Sequence, residues 1–177
     1  TLFRSGGIWK RYRLPKASYT HDADHGWYTE WPRIRDIGYS NGNYLMNMHG
    51  MMYQFPATFS HTKTGGITPF STFLKMIVDY TEWNGKIVLA CNDATMFSNG
   101  LCPRDQSNLL FSTREELANY GGNPFAFGGI WMNDSIRSGV PSEAMLINGF
   151  KSRIIHLYQN AGGPVRYTLE TDATGNN

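Results

Sequence analysis

The chain has 177 residues, of which 41% are apolar and 17% charged, and its formal net charge is +2. An aromatic content of 14% indicates a folded domain, because disordered chains are rich in charge and poor in aromatic residues. The small net charge excludes the dense basic surface of a typical nucleic-acid-binding protein. No apolar run approaches the roughly 20 residues of a transmembrane helix, so we expect neither a nucleic-acid partner nor a membrane span.

Internal similarity is the first organisational feature of the chain. The tripeptide Gly-Gly-Ile occurs three times, starting at Gly6, Gly65 and Gly128. Self-similarity at a nearly constant spacing is the sequence signature of repeat architectures. We therefore expect a single domain, residues 1–177, built from three units. These units cover approximately residues 1–60, 61–122 and 123–177.

The predicted elements are almost all strands. Short β-branched and aromatic runs separated by Gly, Asn and Asp are typical of antiparallel sheets. In chain order they lie at residues 32–37, 44–48, 73–80, 86–91, 107–111, 145–147, 153–158 and 165–170. Asn41-Gly42 and Asn84-Gly85 supply the positive φ angles of tight hairpin turns. One short helix is predicted over residues 112–120, with a Ser/Thr cap and early glutamates. The sequence thus predicts an all-β protein.

Repeats of this size, with three or four antiparallel strands each, resemble the blades of a β-propeller. The units show an inner strand, a hairpin, an outer strand (residues 107–111) and a crossover containing Gly and Trp. This order is similar to that in bacterial carbohydrate-active propellers of the polysaccharide lyase or glycoside hydrolase type. Propellers usually close with four to eight blades, so the resemblance implies that other chains or further copies of this chain complete the propeller. A β-trefoil-like threefold barrel is the alternative, because it closes with three units in one chain.

The first unit contains an insertion, residues 19–32, which is rich in titratable and aromatic groups. Insertions in repeats lie in loops on one face, often the binding face. Its segment His21-Asp22-Ala23-Asp24-His25 is compatible with three roles. These are acid–base chemistry or direct substrate contact, a divalent metal site for Zn or Ca, and structural turn hydrogen bonds. Trp27 and Trp31 are candidates to stack on sugar rings.

A second group of candidates follows the insertion. Arg33 and Arg35 lie on the same side of a strand by its period of two and suit a carboxylate or sulfate. The alternative is an ion pair with a neighbouring acid. The resemblance to propeller lyases implies that His49 and Tyr53 exchange the proton α to a uronate carboxylate while Arg33 neutralises that group. The alternative is apolar packing in a Met-rich strand, with His49 a buried core residue.

Further candidates are two carboxylates, Asp134 and Glu143, because glycoside hydrolysis needs a pair of acids. Cys91 and Cys102 bracket a polar loop and could form a disulfide in an exported protein. Because the sequence starts at Thr1, without an initiator Met, we expect a processed leader or a longer parent chain. A secreted or periplasmic location is the corresponding expectation.

Together these patterns predict a carbohydrate-active propeller that binds a polysaccharide or oligosaccharide and cleaves it by His/Tyr acid–base chemistry. The alternative is a non-catalytic β-repeat module that binds carbohydrate or protein. The chain lacks the glycine-rich nucleotide-binding motifs and the serine hydrolase motif, so no nucleotide cofactor is expected.

Overall fold

The computed structural model describes residues 2–17, 32–48, 50–73, 76–92 and 107–175. These residues form strands β1 to β9 and one short helix, α1, so the all-β prediction is confirmed. The strands are β1 Leu2–Ser5, β2 Ile8–Arg11, β3 Arg33–Arg35, β4 Tyr44–Met48, β5 Met51–Phe55, β6 Thr68–Thr72, β7 Met76–Trp83, β8 Lys86–Asn92 and β9 Ser107–Ser112, and the helix is α1 Arg114–Leu117.

The strands form three small antiparallel sheets in which neighbours in sequence are neighbours in space. The sheets are β1–β2, β3–β4–β5–β6 and β7–β8–β9. The turn between β7 and β8 is the predicted one, with φ of 51° at Asn84 and 77° at Gly85. Glycine and asparagine tolerate this left-handed conformation, which matches the twist of a tight hairpin. Each sheet is therefore a simple meander that follows the chain.

The four-stranded sheet is the central layer and is buried on both faces. Its first face packs into a cluster that we call the first core, whose buried members are Leu14, Ala17, Met46, Met48, Met51, Tyr53, Ile67 and Leu146. Its second face packs against the β7–β9 sheet in the second core, whose buried members are Ile37, Leu45, Met52, Phe73, Ile77, Tyr80, Ile87, Leu89, Cys91 and Leu117. Successive side chains of β4 and β5 therefore pack alternately into the first core and the second core.

Tyr80 connects the β7–β9 sheet to the central sheet with its hydroxyl group. The ring belongs to the second core and is only 4% exposed. Its Oη lies 2.5 Å from the carbonyl oxygen of Arg33 and 2.6 Å from that of Leu45, and it donates towards both. Burial is the main reason why the pKa of Tyr80 is raised, since it disfavours the phenolate.

Helix α1 begins with a capping box, as its sequence predicts, but it is shorter than expected. The Thr113 hydroxyl accepts a hydrogen bond from the Glu116 amide, and the Glu116 carboxylate accepts one from the Thr113 amide. This reciprocal pair satisfies donors that the first helical turn leaves open. Helical conformation ends at Leu117 and not at residue 120, because the chain turns at Ala118 to Gly121.

The part of the chain after α1 differs most from the sequence prediction. Residues 121–175 contain no strand, so the strands expected at 145–147, 153–158 and 165–170 are wrong. A strand needs a neighbour for its backbone N–H and C=O groups, and none of the nine described strands pairs with this part of the chain. It is instead held by separate backbone contacts. The amides of Lys16 and Phe127 donate to each other's carbonyl oxygens (2.9 and 2.8 Å), the Leu146 amide donates to Arg13 (2.9 Å), and the Thr64 amide donates to Gly175 (2.6 Å).

The three Gly-Gly-Ile tripeptides lie in different local structures. The first forms the turn between β1 and β2, the second lies in the connection before β6, and the third lies in the strand-free region after α1. The expected propeller repeats are therefore not confirmed. None of the three described sheets closes on itself, so the alternative of a threefold barrel is wrong for this part of the chain.

Candidate functional site

Three of the site residues predicted from the sequence belong to the described structure: Arg33 and Arg35 on β3, and Tyr53 on β5. The other seven residues of that predicted site lie outside the described ranges, and their roles stay predictions. They are His21, Asp22, Asp24, His25, Trp27, Trp31 and His49.

The structure places Tyr53 and the two arginines on opposite faces of the central sheet. Tyr53 pairs with Met46, and Met46 pairs with Ile34, so these three side chains share the face of the first core. Arg33 and Arg35 flank Ile34 on β3 and therefore project from the other face. Tyr53 is fully buried. The predicted grouping of this tyrosine with Arg33 around one substrate carboxylate does not form among these side chains.

The two arginines lie on the same side of β3, as the period of two predicts, and both contact β7. Arg33 donates from Nε to the carbonyl oxygen of Val78 at 2.5 Å. Arg35 forms an ion pair with Asp79 at 2.9 Å, with side chains that are 45% and 51% exposed. For Arg35 the alternative of an ion pair with an acid is thus the one observed. These contacts connect the central sheet to the β7–β9 sheet.

The two candidate carboxylates after α1 have separate structural partners. Glu143 lies between two arginines, accepting from Arg11 at 2.8 Å and from Arg13 at 2.7 Å. Asp134 accepts a hydrogen bond from the amide of Met132 at 3.0 Å, which closes a local turn. Neither contact resembles the facing pair of acids that glycoside hydrolysis uses.

Cys91 lies on β8, where it is buried in the second core. Cys102 lies outside the described residues, so the disulfide between the two cysteines stays a prediction.

A cleft of about 400 Å³ opens where the β3–β4 connection, strands β5 and β6 and helix α1 meet. It is more open than enclosed and is therefore a shallow surface groove. The residues that line it are Gly38, Tyr39, Ser40, Gln54, Phe70, Arg114, Glu115 and Ala118. They come from four separate segments, so no local spacing in the sequence points to them. The only signals are the Asn-Gly turn next to Ser40 and the predicted helix.

The aromatic side of the cleft is anchored by the protein interior. Tyr39 and Phe70 are half-buried, and both pack against the second core. Gln54 has one side-chain partner, since its Oε1 accepts a long hydrogen bond of 3.4 Å from Nδ2 of Asn43. The two aromatic side chains are therefore held in place before any ligand enters.

The cationic side of the cleft depends on a glycine. Arg114 donates through Nε (2.9 Å) and Nη2 to the carbonyl oxygen of Ile37, which directs its guanidinium over the β3–β4 connection. Gly38 lies beneath it with φ of +72°, and a Cβ there would be 3.0 Å from Arg114 Nη2. A larger residue at this position would be strained and would displace the guanidinium.

The electrostatics of the cleft keep its phenol protonated. Burial raises the pKa of Tyr39; Arg114 opposes this rise, and Glu115 adds to it. The hydroxyl of Tyr39 therefore remains a neutral donor and acceptor well above neutral pH. Glu115 is the one carboxylate among the residues that line the cleft. The arrangement can bind a polar ligand with an apolar face, and the described residues that line it include no second carboxylate of the kind that a glycosidase uses.

Comparison with protein-family models, curated proteins and solved structures finds no match for this chain. In the described ranges, no helix has the length and apolar character needed to cross a membrane. The same ranges contain no group of three or more His, Cys, Asp or Glu side chains arranged to hold a metal ion. The class that the described fold and cleft define is an all-β protein of small stacked antiparallel sheets.

Proposed function

We propose that this protein is a carbohydrate-binding β-sheet protein that holds a saccharide in the cleft between the β3–β4 connection and α1. The observation that carries the proposal is the position of Tyr39 and Phe70 beside a polar rim of Gln54, Arg114 and Glu115. Sugars present C–H groups on a ring face and hydroxyl groups around the ring. An aromatic surface bordered by planar amide, guanidinium and carboxylate groups complements both features.

The side chains of the cleft are held by the protein before a ligand binds, and this favours ligand affinity. Both aromatic residues rest on the second core, and Arg114 is held by two hydrogen bonds to Ile37. A preformed site loses less conformational entropy when the ligand binds. Ligand affinity then depends on contacts and not on the cost of ordering the loop.

We also propose that the three sheets are successive blades of a propeller-like stack. Supporting observations are that each sheet is a meander, that the sheets follow one another in chain order, and that the central sheet is covered on both faces. Consecutive four-stranded meanders packed face to face are the building plan of propellers. The β1–β2 and β7–β9 sheets have fewer strands than a complete blade.

Binding can be tested by calorimetric titration of neutral and acidic oligosaccharides into the full chain. We expect saturable binding that Tyr39→Ala and Gln54→Ala each weaken by about tenfold, the effect of one lost contact of roughly 1.4 kcal/mol. Phe125→Ala is the matched control, because Phe125 is an exposed aromatic residue, 62% accessible, that does not line the cleft. Equal affinity of the wild type and both cleft variants would contradict the proposal.

The cleavage part of the proposed activity rests on His21, His25 and His49, which lie outside the described ranges, because the fourth candidate, Tyr53, is fully buried in the first core. It is tested separately by following the release of new chain ends or unsaturated products from acidic polysaccharides. We expect the double substitution His21→Ala and His49→Ala to abolish product release while saccharide binding in the cleft persists. Binding without any product release by the wild type would leave the non-catalytic module as the function.

A further inference from the structure

Arg114 is the one cation among the described residues that line the cleft. It is half-buried, and none of the ion pairs in the part of the chain that the structure describes involves it. A charge that is partly removed from water is stabilised by an opposite charge or by hydrogen bonds. The charge of Arg114 is therefore available to a ligand that occupies the cleft.

The guanidinium of Arg114 is held on one edge and keeps another edge for a ligand. The carbonyl oxygen of Ile37 accepts one hydrogen bond from Nε and one from Nη2. The N–H groups of Nη1 and the second N–H of Nη2 have no partner among the described residues. These donors form the end of the planar fork, which binds both oxygens of a carboxylate through parallel hydrogen bonds. The contact with Ile37 thus orients the fork and leaves its end free.

The electrostatic potential beside Tyr39 is dominated by Arg114, although Glu115 also lines the cleft. Burial has the largest effect and raises the pKa of Tyr39. Of the two charges that act on its hydroxyl group, Arg114 lowers that pKa more than Glu115 raises it. Glu115 is exposed, so water screens its carboxylate more than it screens the half-buried Arg114. An anion in the cleft therefore meets a net attraction beside the hydroxyl group of Tyr39.

We propose that the saccharide bound in this cleft carries an anionic substituent, a carboxylate or a sulfate, and that Arg114 holds this group. The inference rests on the proposed saccharide-binding function and narrows its substrate class. The neutral hydroxyl group of Tyr39 can donate a hydrogen bond to the same anion. Phe70 and Gln54 remain available to the sugar ring and to its uncharged hydroxyl groups.

The test is calorimetric titration of the full chain with matched pairs of oligosaccharides. The first set compares oligomers of galacturonate, mannuronate and glucuronate with their methyl esters, which have the same rings and linkages without the charge. The second set compares sulfated with unsulfated oligomers of galactose, and so distinguishes the two anions. In at least one pair we expect the anionic member to bind about tenfold more tightly, the effect of one charge-assisted contact. Added salt should reduce this ratio, because Arg114 is only half-buried.

Three variants test whether the preference comes from the cleft. Arg114→Gln should bring the ratio of the two affinities to about one, because the charge and the planar fork are lost. Glu115→Gln removes the opposing charge and should increase the ratio, by up to about fivefold for an exposed group. Glu115 is exposed, so this variant tests the same electrostatics with the contact between Arg114 and Ile37 intact. Arg137→Gln, at an exposed position outside the cleft, changes the net charge as Arg114→Gln does and is the control.

The outcomes separate this inference from the function on which it rests. No binding by any member of either set would contradict saccharide binding itself, and the inference with it. Equal affinities within every pair would leave saccharide binding in place and overturn the anionic substituent. A preference for the anionic member that Arg114→Gln leaves unchanged, or that Arg137→Gln reduces to the same extent, would overturn the role of Arg114, as would a ratio that Glu115→Gln lowers.

Discussion

The hydroxyl group of Tyr80 offers the sharpest test of how the central sheet and the β7–β9 sheet are held together. Tyr80→Phe removes only the Oη atom, which donates towards the carbonyl oxygens of Arg33 at 2.5 Å and Leu45 at 2.6 Å. The ring remains in the second core, so hydrophobic burial changes little. The substitution therefore isolates the hydrogen bonds between the two sheets.

The expected loss of stability follows from the burial of the site. Tyr80 is 4% exposed and Leu45 is fully buried, so water does not readily replace the hydroxyl group. Removing a buried donor costs the hydrogen bond and leaves an acceptor unsatisfied, about 1–3 kcal/mol in total. For a chain of this size each kcal/mol lowers the melting temperature by about 2–4 °C.

The assay is equilibrium unfolding in urea, with free energies compared at an unchanged m value. Tyr158→Phe is the matched control, because Tyr158 is 92% exposed and loss of its hydroxyl group should not alter stability. A change below about 0.5 kcal/mol for Tyr80→Phe, the range of ordinary surface substitutions, would refute the reasoning. It would mean that the two carbonyl groups find other donors.

Three further predictions concern pH, the helix cap and a surface ion pair. Because burial raises the pKa of Tyr80, the unfolded chain loses its proton first, so stability should fall as pH rises above about 10. Alkaline unfolding curves should show a smaller fall for Tyr80→Phe, and equal slopes would contradict this. Thr113→Ala removes the cap that accepts from the Glu116 amide and should cost about 1 kcal/mol in urea unfolding, whereas an unchanged midpoint would exclude a stabilising cap. Asp79→Asn breaks the exposed pair with Arg35 and should cost less than about 1 kcal/mol, an effect that added salt reduces; a larger or salt-independent loss would indicate an unexpectedly desolvated pair.

Local sequence patterns anticipated five of the nine described strands, because those patterns act over a few residues. β4 at Tyr44–Met48 has the predicted bounds, and the start of β8 and β9 agrees as well. The Asn84-Gly85 turn forms because only a few residue types accept its left-handed backbone. These features depend on neighbouring residues in the chain, which a sequence shows directly.

The strands predicted near the end of the chain do not form, because a strand also depends on residues that are distant in the sequence. Residues 153–158 have the composition of a strand, and yet they remain exposed and pair with none of the described strands. Backbone hydrogen bonds between strands involve distant parts of the chain or another chain, so composition alone does not guarantee a strand. The same limit applies to the Gly-Gly-Ile tripeptides, whose surroundings differ at each position.

The candidate site shows most clearly what each level of structure contributed. The sequence by itself determined that β3 carries Arg33 and Arg35 on one side, because the period of two is a property of the strand. Only the tertiary structure decided that Tyr53 faces the other core and that Tyr39 meets Arg114 across a cleft. Alternation divides a strand into two faces, but which layer covers each face is settled by packing between segments far apart in the chain.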